Sequence, residues 1–420
     1  MNRFIPILCL ALLASGASSQ QDWPDYRGPN ADGKSAVIGL PLKWDEKTNI
    51  KWKTPIHDRG WSSPVVWGNQ VWMTSASEDG HKMYALCLDR ETGKVLSDRK
   101  IFENATPDSI HELNSYASPT PVIEAGRVYV HFGNYGTACL DTKTYKTLWE
   151  RRNLPCKFSV GPGSSPLISD DLLILTMDGI DLQYVVALNK MTGKTVWKTE
   201  RATDWSVLDG QGKGENEMKK AFVTPILAFV EGKPQLISPA AQAVYAYNPK
   251  TGKELWRVRF KGFSQSSRPI LGDGMVYVNT GYGRPNLLAI QFDGTGDVTD
   301  SHVAWKCVRN VPSKPSPLLI KDTIFMLDDG GVASCLDAKT GVEIWKDRVA
   351  SGDYSSSPLL ADGRIYCFSQ QGSVTVLKPG RKFEVLAQFK MTDGTMASPA
   401  IAGKAMFVRT KSALYRVENP

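Results

Sequence analysis

A Ser-Pro dipeptide or a close variant of it recurs along the chain, each time just before a short apolar run. The prolines of this series lie 41 to 59 residues apart, a period typical of repeats built from one four-stranded sheet each. Proline at the first position of a strand forfeits no ladder hydrogen bond, so the series predicts eight sheets. The pairs are Ser63-Pro64, Ser118-Pro119, Ser165-Pro166, Thr224-Pro225, Arg268-Pro269, Ser316-Pro317, Ser357-Pro358 and Ser398-Pro399.

Each repeat contains four runs of strand length, rich in branched and aromatic residues and separated by Gly, Asp or Asn turns. The third turn reads Asp/Asn-x-x-Thr-Gly in several repeats, where the Asp or Asn side chain can bond the turn backbone and glycine can take a positive φ. A tryptophan usually follows on the outer strand, and we interpret it as a packing residue between neighbouring sheets rather than a cofactor platform. These tryptophans are Trp149, Trp197, Trp256, Trp305 and Trp345.

The two ends of the chain are predicted to complete one sheet together. Only 21 residues follow Pro399, enough for three strands, whereas Ile50–Thr54 matches the outer-strand segment Val196–Thr199. An N-terminal strand in the last sheet would leave no open edge in the ring. The fold class is therefore an all-β, eight-bladed β-propeller closed by an N-terminal strand. The predicted organisation is a signal peptide at 1–20, an N-terminal extension at 21–48 and a single propeller at 49–420.

The repeated pattern Ala-x-Asp-x-x-Thr-Gly-x-x-x-Trp resembles the PQQ-like, quinoprotein-type β-propeller repeat. The segment Asp22-Trp23-Pro24-Asp25-Tyr26-Arg27-Gly28-Pro29-Asn30 is similar to the opening of a secreted bacterial branch of that family. The resemblance implies a fold shared with quinoprotein alcohol dehydrogenases and with the propeller lipoprotein of the β-barrel assembly machinery. It leaves the activity open, because one fold hosts many functions.

The N-terminus predicts export. Met1–Arg3 is a short charged region, Phe4–Leu13 is apolar, and the small residues Ala14–Ser19 offer a cleavage site. Cys9 is preceded by Leu8 inside the apolar stretch, a poor match to a lipid-attachment site. No other run approaches the ~20 apolar residues of a transmembrane helix. We expect a periplasmic or extracellular protein.

Net charge and cysteine content limit the classes of binding partner that we expect. The formal net charge is +7, but lysines and arginines are scattered without a basic block, so nucleic-acid binding is not expected. Cys87, Cys139 and Cys335 share one repeat position and are interpreted as small core residues. The pairing of Cys156, Cys307 and Cys367 stays open. We expect a monomer that binds a protein or a glycan.

Function in rigid scaffolds tends to lie on loops, and here two sets of loops share the face around the channel mouth. Mouth residues expected from the repeat also include Trp61, Asn134, Tyr135, Gln183, Lys220, Tyr282, Tyr354 and Gln371. The predicted ligand-binding residues are Asn114, Tyr116, Asp178, Asp181, Arg268 and Arg284.

Three alternative interpretations stay open for individual mouth residues. Asp178 and Asp181 are two carboxylates that would suit a calcium ion or paired acid catalysis, or Asp178 belongs to a turn. Arg268 occupies an otherwise Ser/Thr position, so it points into the channel or pairs with a carboxylate. A metal site or a general-base cluster would require three histidines from adjacent blades to come together. These are His57, His111 and His131.

The leading functional hypothesis is a non-catalytic binding module without a cofactor or a metal. The first alternative is a PQQ-dependent alcohol dehydrogenase with calcium, as the family resemblance allows. Those enzymes commonly carry adjacent cysteines, which this chain lacks, and its last three repeats are nearly minimal. A second alternative is a polysaccharide-active hydrolase or lyase that uses Asp178 and Asp181.

Overall fold

The computed structural model describes residues 22–208 and 214–420, which form eight four-stranded antiparallel sheets, one of them extended by a two-residue strand. The fold class is thereby confirmed, and the predicted signal segment 1–20 lies outside the described residues. From inner to outer, the strands are Val65–Trp67, Gln70–Ala76, Lys82–Asp89 and Val95–Glu103 in blade 1; Val122–Glu124, Arg127–His131, Thr137–Asp141 and Thr147–Arg151 in blade 2; Leu167–Ser169, Leu172–Asp178, Gln183–Asn189 and Thr195–Glu200 in blade 3; Ile226–Val230, Lys233–Ala240, Ala243–Tyr247 and Glu254–Arg259 in blade 4; Ile270–Gly272, Met275–Asn279, Leu287–Gln291 and Val303–Cys307 in blade 5; Leu318–Ile320, Thr323–Leu327, Val332–Asp337 and Glu343–Arg348 in blade 6; Leu359–Ala361, Arg364–Phe368, Ser373–Leu377 and Val385–Lys390 in blade 7; and Ala400–Ala402, Ala405–Arg409, Ala413–Val417 and Ile50–Pro55 in blade 8.

Short additional elements decorate this frame. Gly296–Asp297 pairs in parallel with the outer strand of blade 4. Single 3-10 turns cover Gly133–Tyr135, Trp205–Leu208 and Asn216–Lys219. In the described part of the chain, no helix has the length and apolarity needed to cross a bilayer.

Blade 8 is assembled from both ends of the chain. The strand Ile50–Pro55 pairs antiparallel with Ala413–Val417, and Thr54 lies opposite Leu414. His57, just after that strand, then bonds Asp98 on the outer strand of blade 1 at 3.0 Å. The closing strand is therefore the one expected from the sequence.

A chain of hydrogen bonds through the residues before the strand-opening prolines joins the blades around the channel. In seven of eight blade junctions, a backbone N–H of one blade donates to the Ser or Thr hydroxyl of the next, at 2.9–3.1 Å. In blade 2 the participant is Thr120, which precedes Pro121 and the strand Val122–Glu124. The prediction of Ser118-Pro119 for this position is wrong by two residues, because Ser118 instead donates to Asn114 at 2.6 Å.

The repeated tryptophans join neighbouring blades at the periphery. The indole N–H of Trp197 donates to the Pro249 carbonyl at 2.9 Å, and the ring lies against Gly252. A Cβ on Gly252 would stand 2.5 Å from the ring at a φ of +71°, so only glycine fits. The same contact is repeated around the ring by Trp52 with Gly93, Trp149 with Gly193 and Trp305 with Gly341. The interpretation of these residues as packing residues is consistent with this geometry.

The recurring cysteines lie opposite these aromatic positions. Cys139 pairs across strands with Trp149 and Cys335 with Trp345, where Ala187 faces Trp197 in blade 3. A small side chain leaves room for the indole, and all six cysteines of the described chain are free. Burial raises the pKa of the Cys139 thiol to about 12, so it stays protonated at neutral pH.

Candidate ligand-binding cavity at the channel mouth

A cavity of about 690 Å³ opens at the channel mouth, on the face where each outer strand connects to the next inner strand. This volume lies within the range of small-molecule binding sites. Its lining combines aromatic, aliphatic, hydroxyl and charged side chains. The lining includes Tyr26, Trp61, Ser63, Asn114, Thr120, Ser165, Glu217, Lys220, Phe222, Thr224, Phe263, Tyr282, Lys314, Asp329 and Ser398.

The floor of the cavity is made by the N-terminal extension, which crosses beneath the ring of blades. Trp23 exchanges two 2.9 Å backbone bonds with Val66 of blade 1. The Tyr26 hydroxyl bonds Ser357 of blade 7 at 3.1 Å, and the Ser35 N–H donates to the Leu360 carbonyl at 2.8 Å. The channel is thus closed at this level, and the cavity is a blind cup.

The floor segment folds as a compact loop because its glycines allow close approach. Gly28 has a φ of +86°, and a Cβ there would lie 2.8 Å from the ring of Trp23. Arg27, also at positive φ, directs its side chain to the carbonyls of Pro317 and Asp32 at 2.8 and 3.1 Å. The segment Asp22–Asn30, noted above for its family resemblance, therefore forms part of the channel floor.

Arg268 anchors this floor to the ring. Its side chain is fully buried and bonds the Asp25 carboxylate at 3.0 Å, the Tyr26 carbonyl and the Pro225 carbonyl. Burial raises the pKa of Asp25, and the Arg268 guanidinium opposes that rise. Of the two alternatives for Arg268, the structure shows the carboxylate pair. The guanidinium therefore bonds the floor segment and is not part of the cavity lining.

The upper walls are aromatic, with charges that occur in pairs. Phe263 and Tyr282 meet edge to face at 6.1 Å, and Tyr282 is 66% exposed. Lys220 pairs with Glu217, and Lys314 pairs with Asp329 at 3.0 Å. The mouth therefore presents apolar surface with internally compensated charges.

Of the six predicted ligand-binding residues, Asn114 is the one that lines this cavity. Its amide donates to the Val160 and Pro162 carbonyls at 2.7 and 3.2 Å, and so fixes the neighbouring loop of blade 3. Among the wider set of mouth residues, Trp61, Lys220 and Tyr282 also line it.

The two predicted carboxylates, Asp178 and Asp181, bond other parts of the protein. Asp178 is buried and makes a two-pronged pair with Arg201 at 2.9 and 2.7 Å. Asp181 accepts the backbone N–H groups of Lys157 and Leu182 at 2.7 and 2.8 Å. Neither carboxylate belongs to the lining of this cavity.

Tyr116 and Arg284 also lie outside the main cavity. Tyr116 donates to the Asp108 carbonyl at 2.6 Å and stacks edge to face on Tyr135 at 5.6 Å. It borders a smaller pocket of about 220 Å³ beside Arg59 and His111. Arg284 is exposed on the turn that carries Tyr282. Neither side chain is among those that line the main cavity.

The three histidines do not converge. His131 is buried and bonds Thr137 at 2.8 Å, and burial lowers its pKa to about 3. His57 bonds Asp58 and Asp98, whereas His111 lines the cavity. Across residues 22–208 and 214–420, no three His, Cys, Asp or Glu side chains come together as metal ligands.

Sequence reasoning missed the floor residue Tyr26 and the hydroxyls at the base, Ser63, Thr120, Ser165, Thr224 and Ser398. The signal for the hydroxyls was present in the repeated residue before each proline. Tyr26 had no comparable signal, because its position depends on where the N-terminal extension crosses the ring.

Comparisons with known proteins agree with this architecture. A family model described as outer membrane protein assembly factor BamB matches residues 42–199 and 181–419. The BamB protein of Yersinia pestis is 23% identical over 208 residues, which are 46% of this chain and 49% of that protein. The match thus spans about half the length of this relative.

Two solved structures have similar folds. The crystal structure of BamB from Moraxella catarrhalis superposes with a TM-score of 0.60 at 11% identity, covering 87% of this chain and 100% of that one. The quinohemoprotein alcohol dehydrogenase of Comamonas testosteroni superposes with a TM-score of 0.64 at 11% identity, covering 95% and 80%. At these identities the likeness concerns the fold alone.

Proposed function

Because the chain belongs to the family described as outer membrane protein assembly factor BamB, we propose that it is an exported, non-catalytic propeller that binds a protein partner in the cell envelope. The relatives' name concerns outer membrane assembly, and the N-terminal sequence of this chain supports export. The proposed role is that of a rigid scaffold with one recognition face.

The observation that carries this proposal is the blind, aromatic-walled cup at the channel mouth. Aromatic side chains offer large contact areas at low cost in conformational entropy, and they are enriched where proteins bind one another. Trp61, Phe222, Phe263 and Tyr282 line the cup together, and Tyr282 projects into solvent. The paired lysines can position a partner without leaving an uncompensated charge at the rim.

A quinoprotein dehydrogenase is the alternative that the fold raises, and the lining does not fit it. The described residues bring together no set of carboxylate, imidazole or thiol groups for a cation. No two cysteines are adjacent in the sequence. Lys220 and Lys314, which line the cup, already pair with Glu217 and Asp329. We therefore propose that the protein functions without PQQ.

A site-specific photocrosslinking experiment tests the proposed role. The crosslinker p-benzoylphenylalanine replaces Tyr282 at the mouth or Phe229 on the inner strand of blade 4, and these aromatics are 66% and 63% exposed. We expect irradiation of cells to join a discrete envelope protein to position 282 and none to position 229. Equal labelling at both positions, or no adduct at 282, would contradict a partner at the mouth.

A further inference from the structure

The base of the cavity carries hydroxyl groups whose oxygens accept hydrogen bonds from the backbone. Their own protons have no acceptor among the described residues. Ser63, Thr120, Ser165, Thr224 and Ser398 each accept one backbone N–H from a neighbouring blade. In the described part of the chain, none of the five donates its own proton to an acceptor. A hydroxyl is both donor and acceptor, and each of these residues is at most 7% exposed. Five unused donors, from blades 8 and 1 to 4, therefore line one side of the base of the cup.

Positive charge is buried next to the same ring of blade junctions. Arg27 and Arg268 are 2% and 0% exposed. Arg268 bonds the carbonyl of Pro225, which follows Thr224, and Arg27 bonds the carbonyls of Pro317 and Pro358, which follow Ser316 and Ser357. Arg268 has Asp25 as its carboxylate partner, whereas Arg27 donates to backbone carbonyls. Asp32, the next carboxylate of the floor segment, pairs with Lys34 at 3.0 Å.

With Lys34 and Asp32 counted as one ion pair, the guanidinium groups of Arg27 and Arg268 exceed the carboxylate of Asp25 by one positive charge. Burial lowers the pKa of Arg27 to about 10, which still leaves it charged at neutral pH. A buried charge acts through a medium of low dielectric constant and is screened little by salt. The field at the base of the cup therefore favours an anion.

The shape of the cup selects the part of a ligand that can enter. Because the floor segment closes the channel below Tyr26, a polypeptide cannot thread through and enters the cup by one end. An amino terminus would bring a cation towards unused donors and the two guanidinium groups. A carboxyl terminus brings an anion with four lone-pair positions, which is the complement of those donors.

We propose that the hydroxyl ring at the base of the cup binds the C-terminal carboxylate of a partner polypeptide. The last apolar side chains of that polypeptide would contact Trp61, Phe222 and Phe263. This inference rests on the proposed binding function and adds the chemistry of the recognised group.

Matched peptides test the inference. The probe is N-acetyl-Gly-Gly-Phe as the free acid and as the C-terminal amide, titrated into the full chain and followed by tryptophan fluorescence and NMR. We expect the acid to bind about tenfold more tightly than the amide, as charge-assisted hydrogen bonds do relative to neutral ones. Equal binding, or no binding of either peptide, would overturn the inference.

Two serine variants separate binding from stability. Each variant removes one of the hydrogen bonds that join neighbouring blades. Ser165→Ala removes the 2.9 Å bond from the Thr120 N–H, and Ser316→Ala removes the 2.9 Å bond from the Arg268 N–H. Only Ser165 lines the cavity. We expect similar losses of melting temperature, and weaker binding of the acid peptide in Ser165→Ala alone. Loss of binding in both variants, or in neither, would overturn the inference; if Ser165→Ala does not fold, the acid-to-amide comparison on the native chain decides.

Two further ligands test the chemical class. Decanoic acid carries a carboxylate without a peptide, and PQQ carries carboxylates on a flat aromatic body. Tighter binding of either than of the acid peptide would overturn the assignment to a polypeptide. An adduct at position 282 in cells, together with equal affinity for acid and amide peptides, would leave the proposed function standing and remove the carboxylate inference.

Discussion

The backbone N–H of Ser398 donates to the hydroxyl of Ser63 at 3.1 Å and so joins the last blade to the first. Six equivalent bonds connect the other neighbours, and the series is interrupted between Thr224 and Arg268. At that junction the arginine side chain reaches the floor segment instead. Arg268, which stands where the other repeats have Ser or Thr, is thus the residue that binds the floor segment to the ring of blades.

Replacing Arg268 with methionine should destabilise the protein strongly. The change leaves the Asp25 carboxylate, whose side chain is 18% exposed, without its 3.0 Å partner. Removal of one member of a fully buried pair costs about 3–5 kcal/mol, and the partial exposure of Asp25 places the expected loss near the lower end of that range. Urea denaturation measures the loss. A double variant that also carries Asp25→Asn should recover part of the stability, and equal stability of the single and double variants would contradict the pairing.

Deleting residues 22–56 should cause aggregation. The deletion removes the floor and the strand Ile50–Pro55, and it exposes the edge of Ala413–Val417. An unpaired edge strand is a template for association between chains. Size-exclusion chromatography with light scattering provides the measurement. A monodisperse monomer with native far-ultraviolet circular dichroism would show that the closing strand is dispensable.

Trp197→Ala should lower the free energy of unfolding by about 3–5 kcal/mol, because it removes a large buried aromatic side chain and leaves a cavity. Trp197 is 9% exposed and contacts Gly252 and the Pro249 carbonyl of the next blade. Trp345 is half-buried, so Trp345→Ala should cost less. Binding of ligands at the mouth should persist in both variants; loss of binding at an unchanged melting temperature would assign the tryptophans a direct role.

His57 should make a small, pH-dependent contribution to stability. Burial lowers its pKa, but the bonds to Asp58 and Asp98 outweigh that effect, and the folded-state pKa lies above the ordinary value. The stabilisation is therefore complete below the unfolded pKa of about 6.5 and is lost as the pH rises through the folded pKa. His57 is 39% exposed, so solvent screening keeps the effect small.

Comparison of the native protein with His57→Gln at about pH 5.5 and about pH 8.5 measures this contribution. The stability difference between the two proteins should shrink at the higher pH. A difference that is the same at both values would mean that the histidine acts through packing on Tyr84, which its ring meets at 4.8 Å.

Reconstitution with PQQ and calcium should give neither stoichiometric quinone binding nor dye-linked oxidation of alcohols. The reason lies in the lining, whose lysines are paired and which lacks a cluster of cation ligands among the described residues. A bound ligand would also raise the melting temperature. Turnover with a primary alcohol would instead favour the dehydrogenase alternative.

Part of the candidate site was accessible from the sequence. The repeat assigns loops to the mouth face, and Asn114, Trp61, Lys220 and Tyr282 were placed there from their positions in the repeat and do line the cup. The repeat does not determine which way a loop side chain turns. Asp178 illustrates this point, because its carboxylate turns to Arg201, the residue directly after the outer strand of blade 3, and is fully paired.

The sequence by itself determined the number of blades, the closing strand and the packing role of the tryptophans. These features follow from local residues that are repeated: in seven junctions the residues before the prolines bond their counterparts, and most of the tryptophans contact a glycine of the adjacent blade. Only the tertiary structure decided that the channel has a floor and that the mouth is a blind cup. Tyr26 and Arg268 are bonded although 242 residues separate them. Such a contact depends on the path of a non-repeating segment across the closed ring, which no local pattern of residues encodes.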